Sequence, residues 1–247
     1  MQFVLVRDHT GTVQVTHRRD GTPIEAELER LTVESAVRIT GVDVELAWIG
    51  DVQDVMEFEE RMLAHVIAAV AEKHGGQIRE YFGTEVTVPE VPFPRITMAE
   101  ARQIGGTPGG RADLDSRGER AVATDVQERT GHEFVFVTEF PASVRPFYHM
   151  RPAGNPAVTH SFDLLWRGLE ITTGAQREHR YDVLLRQVAE KGLSAEPMRD
   201  YLNCFRYGCP PHGGLGLGLG RLLMVLLGLG SIREAAFLFR GPNRLTP

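Results

Sequence analysis

Residues 167–177, with the sequence RGLEITTGAQR, place acidic, hydroxyl and basic side chains on one predicted strand. Regular alternation puts Glu170 and Thr172 on one side of that strand and Thr173 on the other. Gly174 then lets the backbone bend. A polar group that is buried on a central strand without a partner costs about 1–3 kcal/mol, so these side chains need partners.

Two kinds of partner fit these residue types. In a structural interpretation, Glu170 forms a salt bridge with a neighbouring arginine. In a functional interpretation, the Glu170 carboxylate holds Mg²⁺ on phosphates and Arg177 receives a ligand carboxylate through two parallel hydrogen bonds. The strand alone leaves both interpretations open.

Residues 212–221, with the sequence HGGLGLGLGR, form a second unusual segment because five of the ten are glycine. The glycines leave one face of a predicted strand bare, so that a flat ligand or a closely packed helix could lie against the backbone. The segment matches neither the Walker loop, which needs GK[ST], nor the dinucleotide fingerprint, which needs a following βαβ unit. Ligand binding and close packing therefore both remain open here.

The elements around these segments indicate the fold class. Turn residues at 8–11 lie between alternating segments at 2–7 and 12–16 and predict a hairpin, and an apolar period predicts a helix at 52–73. Further strands are predicted at 33–39, 42–49, 134–138, 145–150, 161–166, 169–173 and 213–219, further helices at 24–31, 181–191, 196–206 and 221–227, and looser structure from 75 to 131. Because few crossover helices separate the strands, this order favours an α+β fold with an antiparallel β-sheet flanked by helices.

Composition excludes several classes of function. The 247 residues include 27 Lys and Arg against 33 Asp and Glu, which gives a formal charge of −6. This charge argues against DNA binding, and RNA could bind only at a local basic surface. The apolar stretch 215–230 is too short for a membrane span and contains Arg221. The first residues do not resemble a secretory signal, and two cysteines are too few for a disulfide framework, so we expect a cytoplasmic protein.

Cys204, Cys209 and His212 could supply three ligands to a metal ion. A structural zinc site needs a fourth ligand, and none follows at the usual spacing. Two packed thiols are the simpler interpretation.

The chain from 134 to 247 resembles the C-terminal half of the catalytic domain of class II aminoacyl-tRNA synthetases, in particular the archaeal-type aspartyl-tRNA synthetases. The matching segments are RPFYHM (145–150), THSFDLLWRGLEITTGAQREHRYD (159–182), YGCPPHGGLGLGLGR (207–221) and IREAAFLFRGPNRLTP (232–247). RPFY and GAQR favour aspartyl over asparaginyl members of the family.

The resemblance implies aspartate, ATP and Mg²⁺ as ligands and gives each site residue a role. Glu170 and Thr173 would hold the Mg²⁺ on ATP, and Arg221 would stack on the adenine. Gly216 and Gly218 would border the nucleotide. The aspartate side would consist of Tyr148, Asp163, Gly174, Gln176, Arg177, Gly213 and Gly214, with Asp163 either a ligand contact or a residue that orients a neighbour. His212 and Arg145 are weaker candidates, Arg145 as an ion pair or a ligand contact.

Departures from the family are equally informative. Residues 1–41 resemble only the middle of its OB-fold, and 42–247 then match a catalytic domain that lacks motif 1, which forms the dimer interface. Motif 2, which supplies the arginine that binds the α-phosphate, is missing too. Arg111, Arg117 and Arg120 are candidates to replace that arginine, but only because they have the right charge. Self-association would therefore need a non-standard homodimer interface.

Three hypotheses follow from the resemblance and the departures. The first is a truncated paralogue that recognises aspartate and ATP–Mg²⁺ and adenylates aspartate outside normal tRNA charging. The second is a catalytically inactive pseudo-synthetase that serves as an amino-acid- or adenylate-binding, regulatory module. The third is a residual tRNA-binding role, which the acidic balance and the lack of a clear aromatic platform disfavour.

Overall fold

A computed structural model describes residues 2–7, 12–17, 42–106 and 113–236. The chain divides into two compact units, Met1–Thr40 and Gly41–Pro247. In the first unit, β1 (Gln2–Arg7) and β2 (Thr12–His17) pair in antiparallel register, which confirms the predicted hairpin. The helix predicted at 24–31 and the strand predicted at 33–39 lie outside the described residues, and the OB-like nature of 1–41 stays a prediction.

The second unit consists of a sheet and the helices that pack on it. In chain order its elements are β3 (Val42–Ala47), α1 (Val52–Phe82), β4 (Arg95–Thr97), α2 (Met98–Gly105), α3 (Ser116–Thr130), β5 (Phe134–Thr138), β6 (Ser161–Trp166), β7 (Leu169–Gln176), α4 (Tyr181–Glu190), α5 (Arg199–Asn203), β8 (His212–Leu217) and α6 (Leu219–Leu226). Short 3₁₀ turns at Glu196–Met198 and Cys204–Tyr207 flank α5.

The sheet has six strands in the order β3-β8-β7-β6-β5-β4. Four of its neighbouring pairs are antiparallel, as predicted. The edge strand β4 instead runs parallel to β5, so the sheet is mixed. The predicted α+β fold is confirmed with this one correction.

The two faces of the sheet are covered differently. Helices α1 and α6 pack on one face with a core that includes Val55, Leu63, Phe162 and Leu215, and we call this the covered face. On the other face, α2 and α3 pack over β4, β5 and β6, and α3 also contacts β7. The rest of that second face extends over β3, β8, β7 and the adjoining part of β6 that contains Asp163. It presents polar side chains and glycines, and we call it the open face. Its residues are Asp43, Glu45, Asp163, Glu170, Thr173, Gly214 and Gly216.

Helix α1 is longer than its predicted range because Gly75 and Gly76 do not interrupt it. Its first turn is capped by Asp51, whose carboxylate accepts from the Gln53 N–H at 2.7 Å. It ends at Gly83, which has φ of 68°. Glycine adopts this left-handed conformation without the steric cost that other residues meet.

Two helices lie in the region where only loose structure was predicted. Thr97 and Glu100 form a capping box at the start of α2, and Asp115 caps α3. The T-x-x-E spacing at 97–100 was the available signal. The strand predicted at 145–150 is wrong, since that segment forms turns and a single bridge between His149 and Arg177.

None of the helices in the described ranges is both long enough and apolar enough to span a membrane. The apolar stretch that begins at Leu215 divides into β8 and α6, which contribute Leu217, Leu222 and Leu226 to the core of the covered face. This division agrees with the prediction that the stretch is a buried strand and helix.

Candidate active site

A β-bulge in β7 decides which of its side chains face outward. Leu164 on β6 pairs with Thr172, but Leu165 pairs with Glu170, so Ile171 is an extra residue on β7. The bulge places Ile171 and Thr172 on the covered face and leaves Glu170 and Thr173 together on the open face, with the Thr173 hydroxyl 3.3 Å from Glu170 Oε1. The regular alternation that the sequence predicted is therefore wrong at this point.

Glu170 and Arg221 form one end of the open face. Arg221 is on the first turn of α6, and its Nη1 donates to the Glu170 carbonyl at 2.7 Å and to Glu170 Oε1 at 3.1 Å. The Arg221 side chain remains 44% exposed, so its flat guanidinium surface is accessible to a ligand. The salt bridge of the structural interpretation is thus present, in a position where both partners can also reach a ligand.

Asp163 lies between Thr173 and Arg145. Its Oδ1 accepts from the Thr173 hydroxyl at 2.7 Å, and its Oδ2 pairs with Arg145 Nη2 at 2.6 Å. Arg145 also lies over the Phe140 ring at 3.6 Å. Of the alternatives for these two residues, the ion pair and the orienting contact are the ones that the structure contains.

Burial raises the pKa of the Asp163 carboxyl to about 6, against the lowering effect of Arg145. Glu119 on α3 was not found from the sequence. Burial, followed by the negative charge of Glu170, raises its pKa to about 7. This end of the open face therefore contains carboxyl groups that titrate near neutral pH.

Arg177, just beyond β7, forms the other end of the open face. Its Nη2 and Nε donate to Glu45 Oε1 on β3 at 2.8 and 3.3 Å, and its Nη1 lies 3.2 Å from His149 Nε2. The Tyr148 ring is 5.4 Å from the guanidinium carbon, close enough for a cation–π contact. These contacts place Tyr148 beside Arg177, where the sequence predicted it.

A guanidinium has five N–H groups. In Arg177 two of them donate to Glu45 and one to His149, which leaves one N–H on each Nη nitrogen. An N–H from each of two neighbouring nitrogens is the arrangement that binds both oxygens of a carboxylate. Arg177 is thus held by two partners, and one N–H group on each Nη nitrogen remains for the carboxylate of a ligand.

The glycines in and just after β8 differ in how much space surrounds them. A Cβ at Gly214 would overlap Val44 and Glu45, and one at Gly216 would lie 3.0 Å from Asp43 Oδ1. A Cβ at Gly218 would make only ordinary contacts of 3.5 Å or more with Ile171 and Arg221. Close approach of β3 thus requires glycine at 214, and Gly218 leaves space beside Arg221.

Three predicted site residues face the other way. A Cβ at Gly213 would meet Val55 of α1, and Gln176, which pairs with Gly213, shares its face. A Cβ at Gly174 would overlap the Phe162 ring in the core of the covered face. Packing on the covered face accounts for glycine at 174 and 213, and the contacts of all three residues with aspartate stay a prediction.

Two of the three arginines suggested as replacements for the motif 2 arginine lie within the described residues. The backbone of Arg120 lies against Gly168 in the β6–β7 turn, and Arg117 is the second residue of α3. Arg111 lies outside the described residues, and a replacement by any of the three stays a prediction.

His212 is the first residue of β8. Its Nδ1 lies 3.0 Å from Pro210 O and 3.6 Å from Cys209 Sγ.

Oxygen ligands at the Glu170 end suit Mg²⁺. Glu170, Thr173 and Asp163 present carboxylate and hydroxyl oxygens, and Mg²⁺ is commonly held by one or two carboxylates together with substrate phosphates. In the described part of the chain, no group of three or more His, Cys, Asp or Glu side chains is placed to hold a metal ion. Cys204 and Cys209 are free thiols, and of the two only Cys209 packs against a core cluster, whereas Cys204 is exposed.

Comparison with known proteins identifies the family. Residues 29–240 match the model for class II tRNA synthetases (D, K and N). The chain is 39% identical over 229 residues to the aspartate–tRNA(Asp) ligase of Thermococcus kodakarensis, covering 91% of this chain and 52% of that protein. It is 43% identical over 212 residues to the aspartate–tRNA(Asp/Asn) ligase of Aeropyrum pernix, covering 83% and 48%.

The chain belongs to the class II tRNA synthetases. Among solved structures it is similar to the aspartyl-tRNA synthetase of Entamoeba histolytica, with a TM-score of 0.78 and 29% identity over 87% of this chain and 47% of that one. It is also similar to the asparaginyl-tRNA synthetase of Pyrococcus horikoshii complexed with asparaginyl-adenylate, with a TM-score of 0.76 and 27% identity over 99% and 60%. The chain spans about half the length of the curated relatives it matches.

Proposed function

We propose that the open face binds aspartate at Arg177 and ATP–Mg²⁺ at Glu170, Thr173 and Arg221, and that the domain activates aspartate as an adenylate. The observation that supports this most is the arrangement along β7, where the Glu170 carboxylate lies near the start of the strand and the Arg177 guanidinium lies just beyond its end. Gly214 and Gly216 on the neighbouring strand β8 add no side chain to this face and let Glu45 and Asp43 of β3 approach closely.

Each residue of this proposed site has a distinct task. Arg177 binds the side-chain carboxylate of aspartate, with Tyr148 against its guanidinium. Arg221 stacks on adenine, with Gly218 leaving space beside it. Bound Mg²⁺ would neutralise phosphate charge, and Glu170 and Thr173 would hold it. In the adenylation step an oxygen of the aspartate α-carboxylate attacks the α-phosphorus, the bond from that phosphorus to the bridging oxygen breaks, and pyrophosphate leaves. Because no acid or base is needed, the step depends on position and charge.

Binding without turnover is the second candidate function. Its support is that the arginines of the open face are already paired with carboxylates: Arg145 with Asp163, Arg177 with Glu45 and Arg221 with Glu170. Within the described residues, each of these three arginines already has a carboxylate partner, so none is an unpaired arginine that could bind the α-phosphate. A missing electrostatic contact of that kind lowers a rate by a factor of about 10²–10³.

Exchange of labelled pyrophosphate into ATP distinguishes the two functions. The assay compares aspartate, asparagine and no amino acid, with Arg177→Ala as the variant. Exchange that requires aspartate and is lost in the variant supports activation. Lack of exchange in a preparation that still binds aspartate or ATP in a calorimeter supports the binding module, and lack of both contradicts the proposal.

tRNA remains a proposed partner at one surface. Arg180, Arg186 and Arg206 line a cleft of about 700 Å³ together with Tyr181 and Asp182. Arg206 lies over the Tyr181 ring at 5.4 Å. Filter binding at two salt concentrations tests it, since binding to phosphates weakens steeply with salt.

Self-association is proposed at the edge of the sheet. In the described structure β3 is an edge strand, and Trp48, which follows it, is 82% exposed. Edge strands are ready templates for pairing with another chain. Sedimentation velocity over a range of concentrations tests this homodimer, and a concentration-independent monomer contradicts it.

A further inference from the structure

His149 lies behind Arg177, on the side away from solvent. Its side chain is only 3% exposed, and its Nε2 is 3.2 Å from Arg177 Nη1. Its backbone forms a bridge with Arg177 as well, so ring and main chain both approach the arginine. Glu45, the other partner of the guanidinium, is on a distant strand and has a side chain that is 53% exposed.

The contact fixes the protonation of the imidazole. Arginine can only donate, so Nε2 must accept and the ring proton must be on Nδ1. Burial, followed by the positive charges of Arg177, Arg145 and Lys191, lowers the pKa of His149 to about 2. A neutral ring with an accepting Nε2 is therefore the form present at physiological pH.

This arrangement has a cost in stability. His149 Nδ1 is buried and has no hydrogen-bond partner in the described structure. A buried donor without a partner destabilises the folded state, and such groups in a native protein require an explanation. Because the Nδ1–H detracts from stability, two contacts favour a histidine here: the edge-on packing of the ring against Tyr148 and the contact of Nε2 with Arg177. Only the second needs a ring nitrogen.

We propose that His149 is a positioning residue: its neutral Nε2 holds the Arg177 guanidinium from behind, so that the two unused N–H groups face the substrate carboxylate. The inference rests on the proposed function for its substrate. Glu45 holds the opposite edge of the guanidinium from a solvent-exposed position, where its attraction is weakened by water. His149 is the buried and therefore less mobile of the two supports.

Three variants test the proposal in the full chain. His149→Leu removes both ring nitrogens and keeps an apolar side chain of similar size, whereas His149→Gln restores an acceptor near the place of Nε2. His179→Leu is the matched control, because His179 also has a buried Nδ1 without a partner in the described structure but makes no hydrogen bond to Arg177. The measurements are the Kd for aspartate by calorimetry, the melting temperature, and the exchange rate of the Arg177 guanidinium protons by NMR without ligand.

We expect His149→Leu to weaken aspartate binding about 10- to 100-fold, the usual effect of losing a hydrogen bond to a charged group. Arg177 proton exchange becomes at least about tenfold faster for the same reason, and the melting temperature does not fall. His149→Gln recovers most of the affinity, and His179→Leu leaves both Arg177 measurements unchanged.

The proposal is overturned if His149→Leu binds aspartate with wild-type affinity and its Arg177 guanidinium protons exchange at the wild-type rate. It is also overturned if His179→Leu loses as much aspartate affinity as His149→Leu. If the wild-type chain does not bind aspartate, the proposed function fails by itself. The proton exchange of Arg177, measured without ligand, still decides whether His149 positions the guanidinium.

Discussion

The two faces of β7 contain the same pair of residue types in opposite surroundings. On the open face, the Thr173 hydroxyl donates to Asp163 at 2.7 Å and lies 3.3 Å from Glu170, whose carboxylate is paired with Arg221 and partly exposed. On the covered face, Thr172 donates to Glu59 of α1, whose side chain is fully buried. A threonine with a glutamate is therefore not a functional signal by itself.

Charge and solvent make the difference between the two pairs. Burial raises the pKa of Glu59 to about 8, with smaller effects from Asp163 and Glu60, so this carboxyl is protonated at neutral pH. Glu59 Oε2 has no hydrogen-bond partner in the described structure. The open-face pair can accept a cation, whereas the covered-face pair acts only on the stability of the fold.

The largest expected effect is on the open face. Glu170→Gln removes the charge that would hold Mg²⁺ and pair with Arg221, so ATP–Mg²⁺-dependent activity falls by a factor of about 10²–10³. The melting temperature changes little, because Glu170 is not in the core. Pyrophosphate exchange and thermal unfolding measure the two quantities, with the exposed Glu128→Gln as control. If pyrophosphate exchange in Glu170→Gln equals that of the wild type, the two faces of β7 do not differ in function.

On the covered face, Glu59→Gln is expected to change the pH dependence of stability and leave ligand binding intact. Because the folded-state pKa of about 8 exceeds the unfolded value of 4.5, the folded form binds the extra proton. Glu59 therefore makes stability fall as pH rises from about 4.5 to 8, by up to about 1.4 kcal/mol per pH unit.

The measurement is urea unfolding of the wild type and Glu59→Gln at several pH values, with Glu57→Gln, exposed on the same helix, as control. The free-energy difference between wild type and Glu59→Gln should grow in favour of the variant as pH rises. A difference that is constant from pH 5 to 8 would contradict the assignment of a buried neutral acid.

The smallest effect comes from glycines on the two faces. Gly174→Ala forces a methyl group into the Phe162 ring and should destabilise the fold by about 1–3 kcal/mol. Gly218→Ala makes only ordinary contacts, and its free energy of unfolding should stay within about 0.5 kcal/mol of wild type. Chemical denaturation compares the two, and equal destabilisation would show that the Phe162 contact is not tight.

Much of the sheet was predictable from local patterns. Strands β5 and β6 match their predicted ranges, and the segment containing Glu170 and Arg177 was found from residue types alone. The bulge at Ile171 was not predictable, because strict alternation is the only register that sequence periodicity offers. The bulge places Thr173 on the same face as Glu170, whereas the sequence predicted opposite faces.

Other parts of the site depend on contacts between distant segments. Glu45 precedes Arg177 by 132 positions, and His149 precedes it by 28, so no local spacing could connect them. Gly213 and Gln176 look like their site neighbours in sequence and differ only in the face they occupy. Pairing in the sheet decides that face.

The most direct test of the account is a calorimetric titration of aspartate, with ATP–Mg²⁺ present, into the wild type, Arg177→Ala and Glu59→Gln. At neutral pH, where Glu59 of the wild type is protonated, we predict that the wild type and Glu59→Gln bind aspartate and that Arg177→Ala does not. Absence of aspartate binding in the wild type, or unchanged binding in Arg177→Ala, would contradict the claim that the open face of β7 is the amino-acid site.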